Sequence, residues 1–222
     1  MIKRFRPTKR RSHLAQPRVG QLWEVVGKLQ FDFLVTQGLR PDHALLDVGC
    51  GALRGGMHFV RYLDPDRYVG FDINPERIEA GRTDLTKEGL SGKNAVLRCV
   101  DDFDISDLGR TFDYAIAQSV FTHLPLNPII RSLVKVRDVL APTGRFFATF
   151  FEAPSGAPTL NQIEHPSLPS APRPISTYFD RDPFHYDVDT LVWAAGKAGL
   201  SCESLGEWNH PRGQHMLVFR PA

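Results

Sequence analysis

The sequence predicts an α/β fold in which a doubly wound, mostly parallel sheet carries helices on both faces. Three observations predict it. Apolar runs of strand length alternate with helix-length amphipathic segments through residues 21–151. Such alternation implies right-handed crossovers onto a buried parallel sheet. A Gly-rich turn joins the first strand to the following helix. The last two apolar runs flank Asn209-His210-Pro211-Arg212-Gly213, whose turn chemistry reads as an antiparallel C-terminal hairpin.

The elements follow in order. Leu22, Val25, Val26, Leu29, Phe33 and Leu34 recur at spacings of three and four, so a helix starts near Gln21. Gly38 and Pro41 end it. Ala44 to Val48 is a short apolar strand stopped by Gly49-Cys50-Gly51, and a helix follows from Gly55 to Tyr62. Tyr68 to Asp72 is the second strand, after which Pro75 suits a first helical position. That helix runs to about Glu88. Ala95 to Val100 and Phe112 to Ala117 are the third and fourth strands. A helix over Ile129 to Leu140 and a Phe-rich strand over Arg145 to Phe151 follow. Val188 to Ala198 is the last helix, ending at Gly199, and Cys202 to Glu207 and His215 to Arg220 are the final strands.

Residues 152–183 break the pattern. Seven of the chain's 17 prolines fall there, a density that no helix or central strand survives. A long structureless loop inside a compact domain is a functional lid or disordered. This one leaves the fifth strand, so it is a candidate substrate lid.

The 222 residues suffice for one domain with a full core, without disulfides or metals. The formal net charge of +2 argues against a surface given over wholly to gripping nucleic acid or anionic membrane. The charge is uneven, however. Residues 1–20 carry +7 and no acid, leaving −5 on residues 21–222. The first segment is a basic arm, either a solvated tail or one that touches an acidic partner. Its basic start leads into no apolar signal-peptide core, and no run approaches the length of a membrane span. Cys50, Cys99 and Cys202 lack metal-ligand spacing, and a sparse, odd set fits a reducing, cytoplasmic setting.

The strongest motif is Leu45-Leu46-Asp47-Val48-Gly49-Cys50-Gly51-Ala52-Leu53-Arg54-Gly55-Gly56. Glycines there let the backbone turn tightly and approach a ligand closely. The ligand would lie at the carboxyl end of the first strand. Arg54 stands where the dinucleotide fingerprint needs its third Gly, so a pyrophosphate is not the expected ligand. Asp47 suits a cationic ligand end, or caps the turn. Asp72, 25 residues on, suits ribose hydroxyls, or caps the helix at Pro75. A ligand with a ribose and an ammonium group but no phosphate is S-adenosylmethionine.

At these residues the chain resembles the class I S-adenosylmethionine-dependent methyltransferases. Asp47-Val48-Gly49-Cys50-Gly51 resembles that family's first motif, and Asp72-Ile73 its second. Val100-Asp101-Asp102-Phe103 resembles the third and Asp113 to Leu124 the fourth. Leu53 departs from the pattern, standing where many members have a third Gly. The resemblance implies a seven-stranded sheet with an antiparallel last strand over residues 21–222. It implies a cofactor site formed by Asp47, Gly49, Cys50, Gly51, Arg54, Asp72, Ile73, Asp102, Phe103, Gln118, Ser119 and Val120. Asp72 would meet the ribose, Ile73 would pack on adenine, and Asp102 with Phe103 would meet the adenine edge and ring.

Methyl transfer needs alignment of the nucleophile and exclusion of water. A base is needed only where the acceptor must lose a proton. Candidates are His123 after the fourth strand, Glu152 after the fifth and His185 beyond the insert, with His165, Tyr178 and Tyr186 nearby. The histidines lack metal-ligand spacing, so no metal is expected. The expected activity is methyl transfer to a small molecule or glycan. Two alternatives stay open: an RNA methyltransferase using the basic arm, and a non-catalytic cofactor-fold binding protein. The Trp208–Gln214 turn is expected to serve the hairpin rather than the substrate.

Overall fold

The computed structural model describes residues 21–154, 160–165 and 174–222. The basic arm lies outside the described residues, as do two parts of the insert, 155–159 and 166–173. The first half of the fold is built from α1 (Gln21–Thr36), β1 (Leu45–Val48), α2 (Gly56–Tyr62), β2 (Tyr68–Asp72), α3 (Pro75–Lys87) and β3 (Val96–Cys99). The second half continues with β4 (Phe112–Ala117), α4 (Leu126–Val139) and β5 (Leu140–Glu152). After the insert come α5 (Val188–Lys197), β9 (Leu200–Glu207) and β10 (His215–Pro221).

These strands form one sheet in the order β3-β2-β1-β4-β5-β10-β9. β3, β2, β1, β4 and β5 run parallel, and β10 inserts antiparallel between β5 and β9. The order reverses at β1, which places a crevice at the carboxyl ends of β1 and β4. Side-chain alternation then divides the core. Leu46, Val48, Ala115, Phe146, Ala148 and Phe150 face Ile129 and Leu133 of α4 and Leu191 and Ala194 of α5. Leu45, Ile116, Phe147 and Met216 face Leu34 of α1, Phe59 of α2 and Ile78 of α3. Asn74 caps α3, its side chain accepting from the Glu76 and Arg77 amides, with Pro75 as first helical residue.

Three expectations are corrected. First, α4 starts at Leu126, three residues before the expected Ile129. Pro125 is its N-cap and Pro128 lies in its first turn, where no amide hydrogen is needed. Second, β5 starts at Leu140, because Leu140 pairs with Phe112 before the register shifts. Third, the insert is not structureless. β6 (Ile163–His165) and β7 (Ile175–Thr177) pair antiparallel in a separate small sheet. β8 (His185–Tyr186) then adds parallel to the end of β5. β6 and β7 are short Pro-free windows that pair with each other outside the central sheet, while β8, just past the last proline of the insert, joins it.

Candidate functional site

The turn after β1 is built from backbone. Gly49 and Gly51 both adopt left-handed backbone, with φ of 69° and 58°. A Cβ on Gly49 would stand 2.6 Å from Val120 Cγ2, so the turn after β4 presses onto the turn after β1. A Cβ on Gly51 would meet nothing within 4 Å. Open space therefore lies over Gly51, while its amide donates to Asp72 Oδ2 at 3.0 Å. Asp72 Oδ1 accepts from the Asn74 amide at 2.8 Å, and the residue is 5% exposed. Each oxygen can accept further bonds. Beside it Ile73 is 51% exposed, an apolar side chain left to solvent next to a fixed carboxylate.

Beneath the turn, Asp47 is buried and accepts from the Tyr68 hydroxyl at 2.7 Å. Burial pushes its carboxyl up to about 6, against the pull of the Tyr68 bond and of Arg54. Burial, with Arg212 and Arg77 as neighbours, pulls Arg54 down to about 10, so it stays charged at neutral pH. Its guanidinium lies 5.8 Å over the Trp23 ring. Cys50 is buried with its Sγ packed against Gly70, and its amide donates to the Phe71 carbonyl. Leu53 is fully buried at φ 64°, filling the gap left by Gly56 and Gly81.

After β3, Asp102 is exposed and accepts from the Asp104 amide at 2.9 Å. Phe103 sits at φ 67° with its ring edge-on to Phe71. Non-glycine residues in this region cost energy and cluster at ligand sites.

After β4, Ser119 is also left-handed, at φ 56°, and its amide donates to Thr149 Oγ1 at 2.7 Å. Gln118 is 7% exposed. Its Nε2 donates to Ser119 Oγ and Gln214 Oε1 and lies 3.1 Å from His210 Nε2. Among the described residues Gln118 Oε1 has no partner. His210 and Gln214 are both buried. The 208–214 turn thus folds back onto the ends of β4 and β5, a contact beyond the hairpin that the sequence expectation did not include. Burial, then Arg54 and Arg212, hold His210 down to about 3, so it is neutral.

The candidate bases lie farther out. His123 Nδ1 meets Asp182 Oδ1 at 2.5 Å, and its side chain is 55% exposed. This pair, with the Phe184 amide donating to the Thr122 carbonyl, ties the end of the insert to the turn after β4. Glu152 pairs with His215, a residue sequence reasoning missed. His185 is buried and shares Thr177 Oγ1 with His165. Among the described residues, no group of three His, Cys, Asp or Glu side chains could hold a metal, and no helix is long and apolar enough to cross a membrane.

Comparison with known proteins accords with this geometry. Residues 46–146 match the family described as a methyltransferase domain. The fold as a whole matches a S-adenosylmethionine-dependent methyltransferase from Clostridium acetobutylicum ATCC 824, with a TM-score of 0.65 at 11% identity, over 92% of this chain and 93% of that one. Residues 46–146 are thus similar to a methyltransferase domain, and the fold is that of S-adenosylmethionine-dependent methyltransferases. Magnesium protoporphyrin IX methyltransferase from Synechocystis PCC 6803, solved with bound S-adenosylmethionine, is similar at a TM-score of 0.62 and 14% identity, over 93% of this chain and 86% of that one. The glycopeptide N-methyltransferase MtfA, complexed with S-adenosylmethionine, is similar at 0.65 and 12%, over 88% and 94%. At such identities the likeness is one of fold. An uncharacterized protein of Rickettsia prowazekii (strain Madrid E) is 23% identical over 110 residues, half of this chain, and the match covers 43% of that protein.

The residues around the turn after β1 have the chemistry to hold S-adenosylmethionine. The open space over Gly51 lies beside a buried carboxylate with accepting capacity and an exposed apolar side chain. Those three features match a sugar edge and an apolar ring.

Proposed function

We propose that this domain transfers a methyl group from S-adenosylmethionine to a small-molecule or glycan acceptor. The observation that carries the reading is the open space over Gly51 beside the Asp72 carboxylate. When bound there, S-adenosylmethionine supplies a methyl carbon already activated by positive sulfur. Asp72 accepts from the ribose hydroxyls, and Ile73 and Phe103 cover the adenine, with Asp102 at its edge. Asp47 faces the ammonium group beneath the turn. The Gly49 and Gly51 backbone leaves room for the methionyl chain, and Arg54 faces its carboxylate. Cys50 supports the turn from below. Gln118, Ser119 and Val120 wall the reacting end.

The acceptor side is formed by the insert. Leu160, Gln162, Tyr178, Phe179, Asp180 and Arg181 line a shallow cavity of about 450 Å³. Leu160 and Phe179 are exposed there, and Arg181 lies 3.9 Å over the Tyr178 ring. Aromatic rings with flanking polar groups suit a sugar or another ring-bearing small molecule.

Labelled S-adenosylmethionine incubated with metabolite, polysaccharide and RNA fractions of a host extract tests this reading. Label is expected in a small molecule or glycan, identified by mass. Label confined to RNA, or found in no fraction, contradicts it.

A further inference from the structure

The insert and the C-terminal hairpin bring together side chains that lie far apart in sequence. Glu152 closes β5 and His215 opens β10, and Nδ1 of one meets Oε2 of the other at 2.5 Å. A carboxylate only accepts, so Nδ1 carries the hydrogen, which in the neutral ring leaves the lone pair on Nε2. The side chains are 24% and 31% exposed, largely screened from water yet still reachable.

Behind them lies a buried polar chain. His165 Nε2 is 2.8 Å from Thr177 Oγ1, which is 2.9 Å from His185 Nδ1, and all three residues are buried. Burial, then His185 and His215 as neighbours, hold His165 down to about 4, so it adds no positive charge near His215. Among the described residues, the titratable groups facing His215 are Glu152 on β5 and His165 on β6, with Glu207 its cross-strand partner on β9 and His185 on β8 one step behind His165.

The location also fits. Ala117, the last residue of β4, pairs with Ala148. Glu152 is four residues farther along β5, so the pair overhangs the end of β4 by about 13 Å at 3.3 Å per residue. That is the side on which the insert returns as β8. His123 makes a similar contact with Asp182, but in solvent and within a tether.

We propose that His215, oriented by Glu152, is the base that takes the acceptor's proton, so that the acceptor atom is an oxygen or nitrogen bearing a hydrogen. This rests on the methyltransferase reading above. As the acceptor atom bonds to the methyl carbon, the carbon–sulfur bond breaks and its electron pair stays on sulfur. The acceptor's proton passes to His215 Nε2 and then to solvent. Glu152 acts through the imidazole and is a positioning residue.

Three measurements on the full chain test this. Nitrogen-15 shifts of His215 should show the Nδ1–H tautomer in the wild type and a mixture in Glu152→Leu. His215→Asn should lower labelled-methyl transfer by about 10²–10⁴-fold, the usual range for losing a general base, and remove the acidic limb of its pH profile. S-adenosylmethionine affinity by calorimetry should stay within about twofold in both variants, as expected where a group acts on transfer and not on donor binding. An Nε2–H tautomer in the wild type overturns the proposal. So does a His215→Asn variant that keeps rate and limb, or a limb that disappears in His123→Asn instead. If the wild type itself labels nothing, the methyltransferase reading fails, and the assignment of a base fails with it.

Discussion

Asp47 shows how one buried group couples the turn to pH. Burial holds its carboxyl at about 6, above the unfolded value of 3.8. The folded state therefore favours the neutral form. Its contribution to stability is fully present below about pH 4 and is lost as pH rises through about 6. Asp47→Asn should thus raise the melting temperature at pH 8 but not at pH 4. An ammonium group placed beside Asp47 favours the charged form instead. S-adenosylmethionine affinity should therefore fall about tenfold from pH 7 to pH 5, roughly one unit below that value, and this slope should flatten in Asp47→Asn. Calorimetry at the two pH values checks the slope, and an unchanged affinity would remove Asp47 from the site. Leu53 teaches a different lesson. Its left-handed backbone costs about 1–2 kcal/mol, and its side chain offsets this by filling the gap at Gly56 and Gly81. Leu53→Ala should cost about 2–4 kcal/mol, read as a lowered denaturation midpoint. The sequence marked Leu53 as a departure from the family pattern. Its reason lies in packing against Gly81, 28 residues away, which no local pattern encodes.

At the scale of elements, α1 is held against the donor turn by close backbone contact. A Cβ on Gly27 would stand 2.3 Å from the Arg54 carbonyl oxygen. Gly27→Val should push α1 outward, lower the melting temperature and weaken donor binding. Normal affinity in a destabilised variant would confine α1 to a structural role. In the insert, Phe179 is half exposed and Arg181 covers Tyr178. Phe179→Ala and Arg181→Ala should therefore leave the melting temperature within about 1–2 °C, as for surface changes, while lowering methyl transfer. Strands and helices in the parallel half were legible because each carries its own apolar period and its own Gly or Pro stops. The insert was less legible: proline density hid the pairing of Ile163–His165 with Ile175–Thr177, each strand being only three residues long. α4 begins three residues before the expected Ile129 because its first turn accommodates Pro128.

The whole molecule joins residues that the sequence keeps apart. The donor turn was readable because Gly49, Gly51 and Asp72 occupy consecutive strand ends. His210 and Gln214 reach Gln118 from a hairpin 92 and 96 residues farther along the chain, so only the register of β10 on β5 reveals them. The same fold buries His210 and His165, whose imidazoles are held at about 3 and 4 against an ordinary 6.5. The unfolded chain binds protons that these two exclude. Their contribution to stability is thus present at neutral pH and lost as pH falls from about 6.5 towards 4 and 3. Melting temperatures recorded between pH 7 and 4 should fall, and less so in His165→Asn. The central claim is that S-adenosylmethionine is held at the turn after β1 against Asp72. It is tested most directly by calorimetric titration of the wild type and of Asp72→Ala at pH 7. The wild type should bind one equivalent, and Asp72→Ala should bind about 10–100-fold more weakly, matching about 1–3 kcal/mol for a lost partner to buried polar groups. Absence of binding to the wild type, or equal affinity in both proteins, would contradict it.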